Sequence, residues 1–225
     1  MIAALAFAAA TGGIVGRAVY IRADRLVRDS AVAGTPVAAA SRRVVGPWLF
    51  EVVTAALCAL AWWSYGPTPL LVSRVVFGCG LILLFTVDFE RHQLPNAVTL
   101  PGVAMGIGFS FITEPGWFAS LVGTVAGGGI LWIMSEVSHR LRGASGVGMG
   151  DVKMLAMIGA FIGWKLMLVA LVVALLSASM MSIGLMATRR GAAPRALPFG
   201  TFLAPGAAVA VAVGPMLIDW YWRLW

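Results

Sequence analysis

Five acids, Glu51, Asp88, Glu136, Asp151 and Asp219, lie in or beside long apolar runs of the 225-residue chain. An ionisable side chain is expensive at membrane depth, so such residues are functional candidates by default. Two of them stand out by their surroundings. Asp88 closes the run LLFTVD and is followed by FERHQLPN. A helix here is expected to stop before Pro95, which leaves Asp88 in the last turn, where the macrodipole opposes a carboxylate. Helix stability therefore does not account for it. Asp151 follows the glycine-rich stretch GASGVGMG and begins a second apolar run. Taken alone it reads as a helix N-cap, a position Asp favours. Taken with Asp88 it has another use. Two carboxylates close together do not both ionise readily, and their titrations split. The ionised member takes a proton from water, and the protonated member donates to a scissile carbonyl oxygen. That is peptide hydrolysis with neither a covalent intermediate nor a metal, and the two roles belong to the pair.

Other chemistries find less material. His92 and His139 are the only histidines, and neither stands in an HExxH spacing. Cys58 and Cys79 sit inside apolar runs without a CxxC pair. No serine occurs in GxSxG. Neither a metal nor an organic cofactor is expected. The net charge of +7 comes from short arginine clusters between apolar runs rather than from one basic stripe, so no nucleic-acid partner is expected.

With 60% hydrophobic and 11% charged residues, the chain has too little charge to cover a soluble surface, and its partner is the lipid bilayer. The fold class is all-α, a polytopic membrane helix bundle of about eight spans, at 1–21, 47–65, 70–88, 97–112, 118–138, 151–163, 166–187 and 199–221. Residues 1–225 read as one transmembrane domain, with 22–46 a short basic loop inside it. Arg22, Arg25, Arg28, Arg42 and Arg43, then Arg91, then Arg140 and Arg142, then Arg189, Arg190 and Arg195 mark the cytoplasmic loops. The opposite loops carry only Lys165 and, near the C-terminus, Arg223, so both termini are expected outside. The first apolar stretch has no preceding basic residue and is expected to be a retained helix rather than a signal peptide. Glycines four apart, Gly12 and Gly16, Gly102 and Gly106, Gly123 and Gly127, Gly159 and Gly163, predict close helix contacts. Tryptophans gather near the predicted helix ends, as interfacial anchors do.

Three segments in order resemble one family. DFERHQLPNAVTLP (Asp88 to Pro101) is similar to the first aspartate motif of the type IV prepilin peptidases, which are GxGD-type membrane aspartyl proteases. GMGDVKMLAMIGAFIG (Gly148 to Gly163) resembles their GxGD motif, and ALPFGTFLAPG (Ala196 to Gly206) their proline-phenylalanine-glycine segment. VGPWLFEVVTAAL (Val45 to Leu57) looks like the start of their second helix, with its acid at Glu51. The resemblance implies that Asp88 and Asp151 are catalytic. It implies that Lys153 stands near the second aspartate and that Gly148 and Gly150 let backbone approach an extended substrate. Pro95, Pro198, Phe199, Gly200 and Glu51 would bind substrate or shape the site. The implied substrate is a prepilin-like chain with a basic leader and an apolar helix, cut at the cytoplasmic face of the bacterial inner membrane. One departure is clear: bifunctional members carry two CxxC pairs after the first helix, and residues 22–46 contain no cysteine. The resemblance thus does not extend to methyl transfer. The competing reading is a small proton-coupled transporter with Asp88 and Asp151 as relay groups; a relay predicts acids staggered through the membrane, whereas both fall at one face here.

Overall fold

The computed structural model describes residues 10–22, 25, 47–91, 94–142, 148–188 and 199–223. Among them seven helices occur: α1 (10–22), α2 (Pro47–Tyr65), α3 (Pro69–Arg91), α4 (Asn96–Ser110), α5 (Trp117–Arg142), α6 (Met149–Thr188) and α7 (Gly200–Trp222). Four of these, α3, α5, α6 and α7, are long and apolar enough to cross a membrane. The chain forms two compact units, Met1–Pro95 and Asn96–Trp225.

In the first unit α1 lies antiparallel on α2. A Cβ at Gly12 would stand 2.7 Å from Ala55 Cα and 3.0 Å from Cys58 Cβ, so only glycine allows this approach. Farther along, Arg17 Nη1 reaches Glu51 Oε1 at 4.0 Å. A turn through Gly66 and Thr68 leads into α3, where Pro69 takes the first helical position, whose N–H is unsatisfied in any case. Leu57 of α2 lies against Gly78 of α3.

The second unit is built around α6. Gly123 and Gly127 of α5 face Gly159 and Leu155, so α5 runs antiparallel to the first part of α6; a Cβ at Gly127 would stand 2.8 Å from Leu155 O. In the same seam the Ser120 hydroxyl donates to Ala160 O at 2.7 Å, a buried polar contact of the kind that joins helices in lipid. Gly102 and Gly106 of α4 lie on Met157 and Ala160, which sets α4 parallel to that part of α6. On the other side of the break described next, Gly206 and Gly214 of α7 meet Ala170 and Leu166, again antiparallel.

The expected helices 151–163 and 166–187 emerge as the single run Met149–Thr188, interrupted at Gly163 (φ 74°, ψ 172°). Forty residues of straight helix would measure about 60 Å, twice the roughly 30 Å bilayer core. The break divides that length. Its left-handed φ suits glycine, and a Cβ there would also come within 2.9 Å of Pro115 Cβ. Expected features at 1–9, in most of 22–46, at 92–93, at 143–147 and at 189–198 lie outside the described residues.

Candidate active site

Of the five acids beside apolar runs, the structure separates two from three. Glu51 is the partner of Arg17. Glu136 is bound through Oε1 to Arg140 Nε at 2.7 Å, one helical turn away. Asp219 is exposed near the end of α7. Asp88 and Asp151, at 4% and 8% exposure, are the only charged residues among the buried polar groups of the described residues. Burying a carboxylate costs free energy unless its surroundings compensate, so two such residues need a reason to be there.

Asp88 sits one turn before the end of α3, in the buried stretch that includes Leu84 and Val87. Asp151 belongs to the other unit. The expectation that it is the N-cap needs correction, because α6 begins two residues earlier, at Met149. Gly148 takes the cap position: its carbonyl accepts the Asp151 N–H at 3.0 Å and the Val152 N–H at 3.4 Å. The Asp151 carboxylate reaches back and accepts the Gly148 N–H through Oδ2 at 3.3 Å. This is one half of a capping box, the acid at the third helical position reaching back to the cap N–H; glycine has no side chain to supply the other half. The helix start thus fixes one carboxylate oxygen and holds the Asp151 rotamer. A Cβ at Gly148 would lie 3.4 Å from that same Oδ2, ordinary contact, so glycine is not required there by space alone. Gly150 lies between the cap and Asp151, in the first turn.

Lys153 also lies in the first turns of α6, but its Nζ donates to Asn96 Oδ1 at 2.7 Å. Asn96 is the first residue of α4 and directly follows Pro95. Phe199 caps α7, its carbonyl accepting from Phe202 N at 3.0 Å and Leu203 N at 3.1 Å; Gly200 follows, buried, as the first helical residue. Pro198 lies outside the described residues. No cluster of three or more His, Cys, Asp or Glu side chains suited to a metal occurs among the described residues.

Motif reading passed over two residues. Asn96 was hidden because its partner lies 57 positions away, a relation no local pattern carries. Arg74 is a different case. It stands in the second turn of α3 with Nε and Nη1 buried, and an arginine inside the run PLLVSRVVFGCG is a visible signal for an ionisable group at membrane depth.

Comparison with known proteins matches residues 75–183 to the model of the type IV leader peptidase family. Among curated proteins, a prepilin leader peptidase/N-methyltransferase of Burkholderia pseudomallei is 33% identical over 172 residues, 74% of this chain and 54% of the relative. Proteins of the same name from Aeromonas hydrophila (30% identical, 77% of this chain, 60% of the relative) and Xanthomonas campestris (33%, 78% and 61%) match similarly. The match therefore spans a little over half the length of these relatives. No solved structure matches the chain. The segment 75–183, which holds Asp88 and Asp151, belongs to the type IV leader peptidase family.

Proposed function

We propose that the chain is a membrane aspartyl endopeptidase that removes the leader peptide of prepilin-like substrates at the cytoplasmic face of the inner membrane. The observation that carries this reading is the selective burial of Asp88 and Asp151, each at a helix end, inside the family segment. In the proposed reaction the two carboxylates share one proton. The ionised member removes a proton from a water molecule as its oxygen attacks the scissile carbonyl. The protonated member gives its proton to the carbonyl oxygen, and a gem-diol forms. Collapse of the gem-diol breaks the C–N bond: the proton gained by the first aspartate passes to the leaving amine, and one gem-diol hydroxyl returns its proton to the second aspartate as the carboxyl product forms. The capping contact at Gly148 would keep the Asp151 carboxylate oriented throughout.

The same reading gives the membrane arrangement. Counting the two parts of α6 on either side of Gly163 separately, eight helical segments cross the bilayer, with the arginine-rich connections inside. A substrate with a basic leader and an apolar helix then lies with its helix among lipid and its leader at the cytoplasmic edge. The test is reconstitution of the pure chain in lipid vesicles with such a substrate, followed by N-terminal sequencing of the product. A new N-terminus at the leader boundary is expected. An intact substrate, or the same product from a chain lacking both aspartates, would refute the proposal.

A further inference from the structure

Just past the Gly163 break, where the second part of α6 starts, Lys165 meets the last turn of α7. Its Nζ lies 5.7 Å from the centre of the Trp164 ring and 5.9 Å from that of Trp222, so indoles from two helices flank one ammonium group. Helix α7 is long and apolar enough to cross a membrane, and Trp222 is its last residue, so this cluster falls where hydrocarbon gives way to headgroups. Asp219 stands three residues before Trp222, one turn away on the same helix and exposed. Among the described residues neither the Lys165 ammonium nor the Asp219 carboxylate makes an ion pair. Asp219 and Arg223 leave unmade the pair that Glu136 and Arg140 form at the same four-residue spacing.

We propose that Lys165, Trp222 and Asp219 seat the headgroup of phosphatidylethanolamine, its phosphate on Lys165 and its ammonium on Asp219. The site lies wholly within the Asn96–Trp225 unit and is independent of the two-aspartate chemistry. Phosphate oxygens accept from Nζ in a charge-assisted contact, and the two indoles hold the long lysine side chain in place before the lipid arrives. The charge balance argues for a zwitterion. Glu114 adjoins Pro115, which lies against Gly163, so this end carries Lys165 and Arg223 against Glu114 and Asp219 and has no net charge. A purely anionic headgroup would meet Asp219 as a like charge. A choline headgroup has no N–H to donate to that carboxylate. The primary ammonium of ethanolamine does, and a short linker joins it to the phosphate. Below the cluster α7 presents Val213, Met216 and Leu217, all exposed, as an apolar strip for the acyl chains.

The test is native mass spectrometry of the full chain, purified in detergent, with an equimolar mixture of phosphatidylethanolamine, phosphatidylglycerol and phosphatidylcholine of the same acyl chains. The phosphatidylethanolamine adduct is expected to exceed each of the others about fivefold, the order of one charge-assisted hydrogen bond at an exposed site. Asp219→Asn is expected to abolish that preference. Lys165→Met is expected to lower the phosphatidylethanolamine and phosphatidylglycerol adducts alike, and Trp222→Leu to weaken both less. All three side chains are exposed, so these changes leave the packed helix faces intact. Arg140→Gln is the control: Ala119, near the start of α5, lies against the Gly163 break, which puts Arg140 at the far end of that helix, and the preference is expected to survive. Equal adducts on the native chain, or an unchanged preference in Asp219→Asn, would overturn the proposal. So would an equal loss in Arg140→Gln. Phosphatidylglycerol bound above phosphatidylethanolamine would reduce the cluster to a plain cation site and overturn it too.

Discussion

Burial divides the acids at the level of single residues. Asp88→Asn and Asp151→Asn preserve shape but not the ionised state, and each alone is expected to lower kcat by about 1000-fold or more, because the members of such a unit fail together. Glu136→Gln and Asp219→Asn are expected to keep activity within about threefold, since one is engaged by Arg140 and the other is exposed. Turnover of a prepilin-like peptide by the four variants in membranes checks both statements. How far this was legible differs from residue to residue. The five acids could be found by looking for charge beside apolar runs. The Glu136–Arg140 pair was also readable, because residues four apart share a helix face. The Arg17–Glu51 contact was not, since it joins two helices through a register that the sequence does not print. The capping role of Asp151 was half legible: an acid after glycines suggests a helix start, but the structure moves that start back to Met149 and makes Gly148 the cap.

At the level of elements, Gly12, Gly102, Gly106, Gly123, Gly127 and Gly159 stand on helix faces that meet, as the four-residue spacing suggested, while Gly163 marks a break and the partners had to come from the structure. Gly159 packs so closely on Gly123 of α5 that an added methyl group would meet backbone rather than a movable side chain. Gly159→Ala is expected to destabilise the bundle by about 2 kcal/mol, within the range for overpacking. At Gly129, on the same helix as Gly123, an added Cβ meets nothing within 4 Å, and Gly129→Ala is expected to be neutral or to stabilise by up to about 1 kcal/mol through helix propensity. Unfolding in mixed detergent micelles compares the two, and equal effects would mean that the α5–α6 seam is looser than described. The break at Gly163 was readable as a boundary between two apolar runs, but not as a single residue in left-handed backbone. A side chain in this positive-φ, extended-ψ backbone costs on the order of 1–3 kcal/mol before any contact is counted, so Gly163→Ala is expected to lower stability even though alanine is the better helix former.

For the whole molecule, residues 22–46 carry five arginines, two aspartates and no cysteine. Cleavage by this chain is accordingly expected to leave the new N-terminus unmethylated. Mass spectrometry of product made with and without S-adenosylmethionine checks this, and a product one methyl group heavier, only when the donor is present, would place a donor site elsewhere in the bundle. Strong chelators are expected to leave turnover unchanged, and activity lost on chelation and regained with zinc would point to a metal centre instead. The bundle's sidedness has a test that needs no fusion and no substitution. Lys153 and Lys165 are the only lysines in the sequence. Lys153 lies in the Asp151 turn; Lys165 lies just past the Gly163 break, exposed, its Nζ 5.7 Å from the Trp164 ring and 5.9 Å from that of Trp222. On the sidedness proposed from the arginine clusters, an amine-reactive reagent that cannot cross the membrane is expected to tag Lys165 from outside intact cells and Lys153 from outside inverted vesicles. The two tags fall on different tryptic peptides if cleavage proceeds at the unmodified lysine. On that arrangement the native chain bears one chemical address for each side of the membrane, and both lysines tagged from the same side would refute it.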